Sequence, residues 1–472
     1  MRKWLGAAQG ARGALIAGSA VLALGGCATF SPDSGFSEVD KAVKARTGAE
    51  ARWARTDDEA AALAAEVKRL LAAPLGPEQA VQVALYNNRG LQAAYAELGI
   101  AEAELVQAGR LPNPVFGFAR LARGDDVEID RSILFNVLAL ISAPRRKAVA
   151  AERFEQVKLE ASAAAVQLAA EARRAWFEAV AARESEKYFA KVRDTAQAGA
   201  ELAQRMAHAG NLSALDRLRE QAFSAESSAQ LERARQRAAA ARERLVRVLG
   251  LESAAAVTLA DRLPELPRAP RELADLERTA LAERLDVQGA KRGADALARS
   301  LGLTRATRFV NVLELGPAAK SETGAGTMKG AELELSLPVF DAGDARLEGA
   351  RYRYLQALER VAQIAVEARS EVRQAYAAYR TAYGNARRYR DEIVPLRKRI
   401  SDETLLRYSG MLISVFELLA DAREQVASVD AAIGAQRDFW LADANLQLAL
   451  TGGAPRPDRL ASADPSAAAA AH

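Results

Sequence analysis

The sequence predicts a mainly helical protein built on two long antiparallel coiled-coil hairpins, with paired β-strands between the helical parts. Three observations carry that prediction. First, two windows are nearly free of proline: none occurs between Pro144 and Pro264, and only Pro395 between Pro338 and Pro455. Second, shifting the first window by 200 positions lays it on the second without a gap for about 80 residues. Third, between the helical parts lie short segments in which apolar residues alternate with others.

The windows are rich in Ala, Leu, Glu, Arg and Gln, the strong helix formers. Small or apolar residues recur at alternating steps of four and three: Val157, Ala161, Ala164, Leu168, Ala172 and Ala175, then Val361, Ala365, Ala368, Val372, Ala375 and Tyr379. That spacing is a coiled-coil seam. Each window has one central turn signal, Gly210-Asn211-Leu212-Ser213 and Tyr408-Ser409-Gly410. Ser213 and Ser414 are candidate N-caps for the returning helices. An arm of about 60 residues would run roughly 90 Å at 1.5 Å per residue.

The repeats align in detail. Glu171, Arg173, Ala175 and Trp176 meet Glu371, Arg373, Ala375 and Tyr376, and Gly210 meets Gly410. Upstream, a shift of 196 places Ala84, Leu85 and Gln92 on Ala280, Leu281 and Gln288. The reading is an internal duplication, 77–262 and 271–453, with 263–270 as linker and 454–472 as a tail.

Strand texture begins after Leu111-Pro112-Asn113-Pro114, with Val115 to Arg120. A turn at Gly124-Asp125-Asp126 follows, then an alternating stretch from Ile129 to Ile141 through Ile133, Phe135, Val137 and Ala139. The second repeat offers Arg308 to Leu315, a glycine-rich loop through Gly330, and Glu332 to Leu337. Period-two alternation gives one apolar and one polar face. Segments near ten residues also suit tilted membrane strands. Taken alone, the pattern fits surface hairpins on a helical protein equally well. If the strands do cross a membrane, open edges are not tolerated, so chains must share a barrel. Two chains would supply eight strands and three would supply twelve.

Composition excludes other classes. One cysteine rules out an intrachain disulfide framework, and two histidines, His208 and His472, are too few for a three-histidine metal centre. After the N-terminus no apolar run reaches the roughly 18 residues of a membrane helix. Residues 1–26 read as a signal peptide, with Arg2, Lys3 and Arg12 ahead of the apolar Ala14–Leu24 stretch. Leu24-Gly25-Gly26-Cys27 resembles a bacterial lipobox, which implies covalent lipid on Cys27 and a lipid-attached segment 27–76. Ala28 follows, with no retaining aspartate, so the resemblance implies the outer membrane. Three of the four net positive charges leave with the signal, so the basic balance gives no argument for nucleic acid. Gly324-Ala325-Gly326-Thr327-Met328-Lys329-Gly330 has the wrong spacing for a phosphate loop and reads as an external loop. No constellation for catalysis is found, and the expectation is a non-enzyme without cofactors apart from the lipid.

The layout resembles the TolC-like outer-membrane efflux channel family, specifically its lipoprotein subset. The resemblance runs from about Pro77 to Gly453. It is carried by the duplication, by Leu111-Pro112-Asn113-Pro114, by Leu337-Pro338-Val339-Phe340-Asp341-Ala342-Gly343 and by the run from Tyr408 to Ala422. It implies a mainly α protein with a membrane β-barrel. Long coiled-coil hairpins would form a periplasmic α-barrel, and four strands per chain would contribute to a trimeric twelve-stranded barrel. It further implies a passive export duct in a tripartite efflux pump or type I secretion system. Its partners would be a periplasmic adaptor, an inner-membrane transporter reached through that adaptor, and outer-membrane lipid.

Residue roles carry over only at matching positions. Tyr408 and Glu417 match the periplasmic gate, and Gly210, Leu212, Gly410 and Leu412 match the adaptor-contact tips. The chain departs from the family pattern at Ala420, where a second acid is common, and at Asn88-Arg89 and Arg284-Leu285-Asp286, where a proline is common. Arg308 also stands where a proline usually precedes the third strand. The competing reading is a coiled-coil structural or adaptor lipoprotein without a channel.

Overall fold

The computed structural model describes residues 29–254, 257–310 and 312–453. The signal 1–26, Cys27 and the tail 454–472 lie outside the described residues. In chain order the helices are α1 (Phe36–Thr47), α2 (Asp57–Leu70), α3 (Pro77–Asn87), α4 (Arg89–Gly109), α5 (Val137–His208), α6 (Ala214–Leu249), α7 (Leu276–Glu283), α8 (Leu285–Thr307), α9 (Asp344–Arg388), α10 (Val394–Ser409) and α11 (Val415–Thr451). The strands are β1 (Val115–Arg123), β2 (Asp126–Asn136), β3 (Leu313–Glu322) and β4 (Met328–Leu335). Each repeat therefore runs helix, helix, strand, strand, long helix, returning helix.

The chain divides into two compact units. One holds Ala96–Lys158 and Gly289–Ala362 with the described residues through Gly35. Its centre is an antiparallel sheet in the order β1-β2-β3-β4. Gly124 at φ +60° and Gly324 at φ +76° make the two hairpin turns, where the left-handed conformation favours glycine.

The strand boundaries differ from those expected: β1 runs on to Arg123, β2 opens at Asp126, not Ile129, and β4 closes at Leu335, not Leu337. β2 ends at Asn136, so Val137, Ala139 and Ile141 open α5 instead of continuing the strand. The Asn136 side chain accepts from the Ala139 N–H at 2.7 Å and starts the helix. β3 begins at Leu313, not Arg308, and runs through Gly316 and Pro317 to Glu322, where the sequence predicts a glycine-rich loop. Met328, Lys329 and Gly330 open β4, so the external loop shrinks to the turn around Gly324. Cross-strand pairing overrides the weak strand propensity of glycine and proline here.

The second unit holds Phe36–Tyr95, Leu159–Gln288 and the chain from Gln363 onward. Its N-terminal part is folded. Thr56 and Glu59 form a capping box at α2. Val39 and Val43 of α1 are fully buried, and Phe36 meets Tyr95 edge-on at 4.9 Å. The buried Trp176 indole donates to the Leu75 carbonyl at 2.7 Å. The core continues through Tyr379, Tyr383, Phe439 and Leu446. Seam residues Ala161, Ala172, Ala175, Ala368, Val372 and Tyr379 are buried, while Ala164 and Leu168 are only half-buried.

The long helices reverse and pack antiparallel. In the first repeat Phe189 of α5 packs with Leu231 and Ala234 of α6. In the second, Ser401 of α10 donates to Gln425 of α11 at 3.0 Å, and Arg397 pairs with Glu424. The outgoing α5 has 72 residues, longer than the expected arm, whereas the returning helices have only 36 and 37. α9 and α10 are separated by a π-helical turn, Tyr389–Ile393. Pro395 lacks the N–H that the Asp391 carbonyl would accept, and its ring crowds that carbonyl. At the equivalent place in the first repeat Thr195 keeps α5 unbroken.

Candidate functional site

Register sorts the strand residues into two contrasting faces. Phe116 pairs with Ile133, Phe135 with Leu315, and Leu315 with Leu333, so these side chains share one face. On the opposite face Glu128 pairs with Glu322, Asp130 with Lys320, and Glu314 with Glu334. Asp126 and Glu332 share this second face, so every strand carboxylate lies on it. Lys320 and Glu128 form an ion pair at 2.5 Å. The apolar face is open: Phe116 is 64% exposed and Leu333 63%. The outer edges of β1 and β4 have no partner among the described residues. The alternation was legible in the sequence, but the register that places all the acids together was not.

The two hairpin tips are built differently. Gly210 adopts φ +78°, and the Asn211 N–H closes back on the Met206 carbonyl at 2.9 Å. Gly410 has φ −81°, which any residue adopts, and Met411 takes the left-handed conformation at φ +60°. Ser213 and Ser414 cap the returning helices, accepting from the Asp216 and Glu417 N–H groups at 3.1 and 3.4 Å. Gly210 and Gly410 are exposed and Leu212 is half-buried. Leu412 is 76% exposed and Met411 94%. Tyr408 is half-buried in the last turn of α10, and Glu417 is exposed in the first turn of α11. The structure thus brings Tyr408, Gly410 and Leu412 into one turn, with Glu417 just beyond it and Gly210 and Leu212 at the other tip.

Behind the tips the two hairpins are tied by residues the sequence reading missed. The Arg423 guanidinium on α11 lies 5.2 Å from the Phe223 ring centre on α6 and donates to Glu226 at 3.2 Å. Arg219 on α6 lies 4.9 Å from the Phe416 ring on α11. Burial raises the carboxyl pKa of the neighbouring Glu220, against the pull of Arg423. The signal was present, since positions 223 and 423 coincide under the 200-residue shift.

Farther along, Arg284 is buried and donates to both oxygens of Asp286 at 3.0 and 2.9 Å. It also pairs with Glu371 at 2.7 Å. Burial works against the Arg284 charge, but Asp286 and Glu371 hold its pKa above the ordinary value. A Cβ on Gly453, at φ +82°, would fall 2.3 Å from the Asp286 carboxylate. The first repeat has the corresponding junction in neutral form. There Asn87 donates to the Gly250 carbonyl at 2.7 Å and Asn88 to that of Val248 at 3.0 Å.

A cleft of about 530 Å³ lies among Glu178, Ser185, Arg237, Asp430 and Arg437. Ser185 donates to Asp430 at 2.8 Å and Arg437 to Asp438 at 2.7 Å, so much of its charge is internally satisfied. Among the described residues no group of three His, Cys, Asp or Glu is placed to hold a metal. No described helix is long and apolar enough to cross a membrane.

No protein-family model and no curated protein matches the sequence. Solved structures do. The outer-membrane channel OprN is 20% identical over 82% of this chain and 92% of its own, with a TM-score of 0.68. A membrane protein from Pseudomonas aeruginosa is 21% identical over 82% and 93%, with a TM-score of 0.67. The open state of the Neisseria gonorrhoeae outer-membrane channel MtrE is 19% identical over 82% and 89%, with a TM-score of 0.64. At these identities the likeness establishes the fold, and it is the TolC-like fold that the sequence motifs indicated.

Proposed function

We propose that the chain is one subunit of an outer-membrane export channel, a non-enzymatic passive duct. The observation that carries this reading is the sheet. An apolar exposed face suits lipid, an acid-lined face suits an aqueous lumen, and two unpaired edges suit joining to further copies. Three chains would close a twelve-stranded barrel. The fold shared with outer-membrane channels supports the same reading. The helical hairpins then form a periplasmic α-barrel, and the tips at Gly210, Leu212, Gly410 and Leu412 meet an adaptor, with an inner-membrane transporter supplying energy. Tyr408 and Glu417 form the entrance, and covalent lipid on Cys27 anchors the chain.

The purified mature protein is expected to be trimeric in mild detergent and to conduct in planar bilayers. A monomer without conductance sinks the reading. Replacing Glu314, Glu332 and Glu334 by Gln should lower the cation-to-anion permeability ratio about threefold or more, as removal of charge from a pore wall does. Glu417→Ala should relieve block by multivalent cations, and an unchanged block removes Glu417 from the gate. Cys27→Ser should abolish incorporation of labelled lipid.

A further inference from the structure

The apolar face of the sheet carries three charged residues, and all three are cations. Arg131 of β2 pairs with Ala319 of β3, and Ala319 pairs with Lys329 of β4, so Arg131, Ala319 and Lys329 form one row across the sheet. Phe118 of β1 is the next member of that row, and Arg120 lies diagonally from Arg131. Strands are spaced about 4.8 Å apart, so Arg131 and Lys329 lie roughly 10 Å apart at their backbones, and Arg120 is closer to Arg131. All three side chains are exposed. The carboxylates of the strands are on the other face, and among the described residues no ion pair involves these three. Ser321, on the same face, shares a 3.1 Å hydrogen bond with Thr327 and adds hydroxyls beside Lys329. Two of the cations lie toward the turn ends of their strands: Lys329 follows the first residue of β4 and Arg120 lies three positions from the end of β1, while Arg131 is the middle residue of β2.

Unpaired cations on a lipid-facing surface are costly unless an anion meets them, and such residues mark binding sites. A phosphate matches both guanidinium and ammonium, and arginine can hold it by two parallel hydrogen bonds. We infer that Arg120, Arg131 and Lys329 form a docking site for the phosphorylated headgroup of an outer-leaflet glycolipid, whose acyl chains lie along Phe116, Ile133 and Phe135. The inference rests on the channel reading, which makes the apolar face lipid-exposed and the turn end external. Glycolipid is favoured over phospholipid because Arg120 and Lys329 lie toward the turn ends of β1 and β4, on the leaflet opposite the helices, and Arg131 shares the Lys329 row.

The test uses the full-length protein, immobilised in neutral detergent and incubated with lipid A, phosphatidylglycerol or phosphatidylcholine. Retained lipid is counted after washing. Lipid A should be held about tenfold over phosphatidylcholine and clearly over phosphatidylglycerol, and about 1 M salt, where the Debye length is near 3 Å, should reduce the difference. Arg120→Gln/Arg131→Gln/Lys329→Gln should lose most of the lipid A, while Arg145→Gln/Arg146→Gln/Lys147→Gln should keep it. Equal retention of lipid A and phosphatidylcholine, or an unchanged triple variant, overturns the site. Equal retention of phosphatidylglycerol and lipid A overturns the choice of glycolipid. Lys329→Gln, near a strand end, serves if the triple variant does not fold; it should still lower lipid A retention, and no loss overturns the site. Flotation of the wild type with pure phosphatidylcholine vesicles separates the two failures. Protein that does not float fails the channel reading, and protein that floats without preferring lipid A fails this inference alone.

Discussion

The Arg423 guanidinium stacks on the Phe223 ring at 5.2 Å, and the two residues occupy the same position of the two sequence repeats. One hairpin offers a cation where the other offers an aromatic ring, so the duplicated helices meet through unlike side chains. The Arg423–Glu226 pair at 3.2 Å reinforces the contact. Arg423→Ala should lower stability by about 1 kcal/mol, combining a cation–π contact with a surface ion pair. Thermal unfolding of Arg423→Ala, Phe223→Ala and the double variant checks it. Additive losses would mean that the two residues do not interact.

Glu220 lies beside this contact, and burial raises its folded pKa above the unfolded value. A raised carboxyl favours the protonated fold. Its contribution is fully present below the unfolded pKa, about 4.3, and is lost as pH rises through the folded value. Glu220→Gln should therefore be more stable than wild type at pH 7, and the difference should close as pH falls toward 4. Melting curves at both pH values test the sign; a difference that widens in acid contradicts it.

The Arg284–Asp286 pair is buried, so breaking it leaves a carboxylate without its cation. Arg284→Ala should cost about 3–5 kcal/mol, and Arg284→Met/Asp286→Leu much less, because the buried carboxylate leaves with its cation and only the half-exposed Glu371 loses its partner. Equal losses, measured by denaturant unfolding in detergent, would reject the ion pair as the source of the cost.

The tips make opposite demands on glycine. Gly210→Ala should cost about 1–2 kcal/mol at φ +78°, whereas Gly410→Ala should be nearly neutral at φ −81°. Met411→Gly should raise stability by up to about 1 kcal/mol by removing a left-handed side chain. Similar costs at Gly210 and Gly410 would show that both glycines hold the turn.

Much of this was legible in the chain itself. Ser213 and Ser414 were readable as caps because capping depends on local backbone geometry. The long helices were readable because proline is nearly absent and buried Ala172, Ala368 and Val372 recur at helical spacing. Glycine at 410 was misleading: alignment with Gly210 implied the same turn, but the neighbouring Met411 carries the positive φ. The strand ends were misread where pairing, not alternation, sets the boundary, as at Asn136 and from Gly316 to Glu322.

The helical class, the strand hairpins and the two turn positions are written in the order of the residues, because all follow from contacts within a few positions of the chain. Tertiary structure alone decided how the strands register, and with them the separation of strand carboxylates from Arg120, Arg131 and Lys329. It also decided that Arg423 reaches Phe223 and that Arg284 is buried against Asp286 and Glu371. Those relations join residues far apart in the chain, and a one-residue change in pairing would reverse the faces of a strand. Local periodicity gives each strand two faces; only the packed neighbours decide which charges share one.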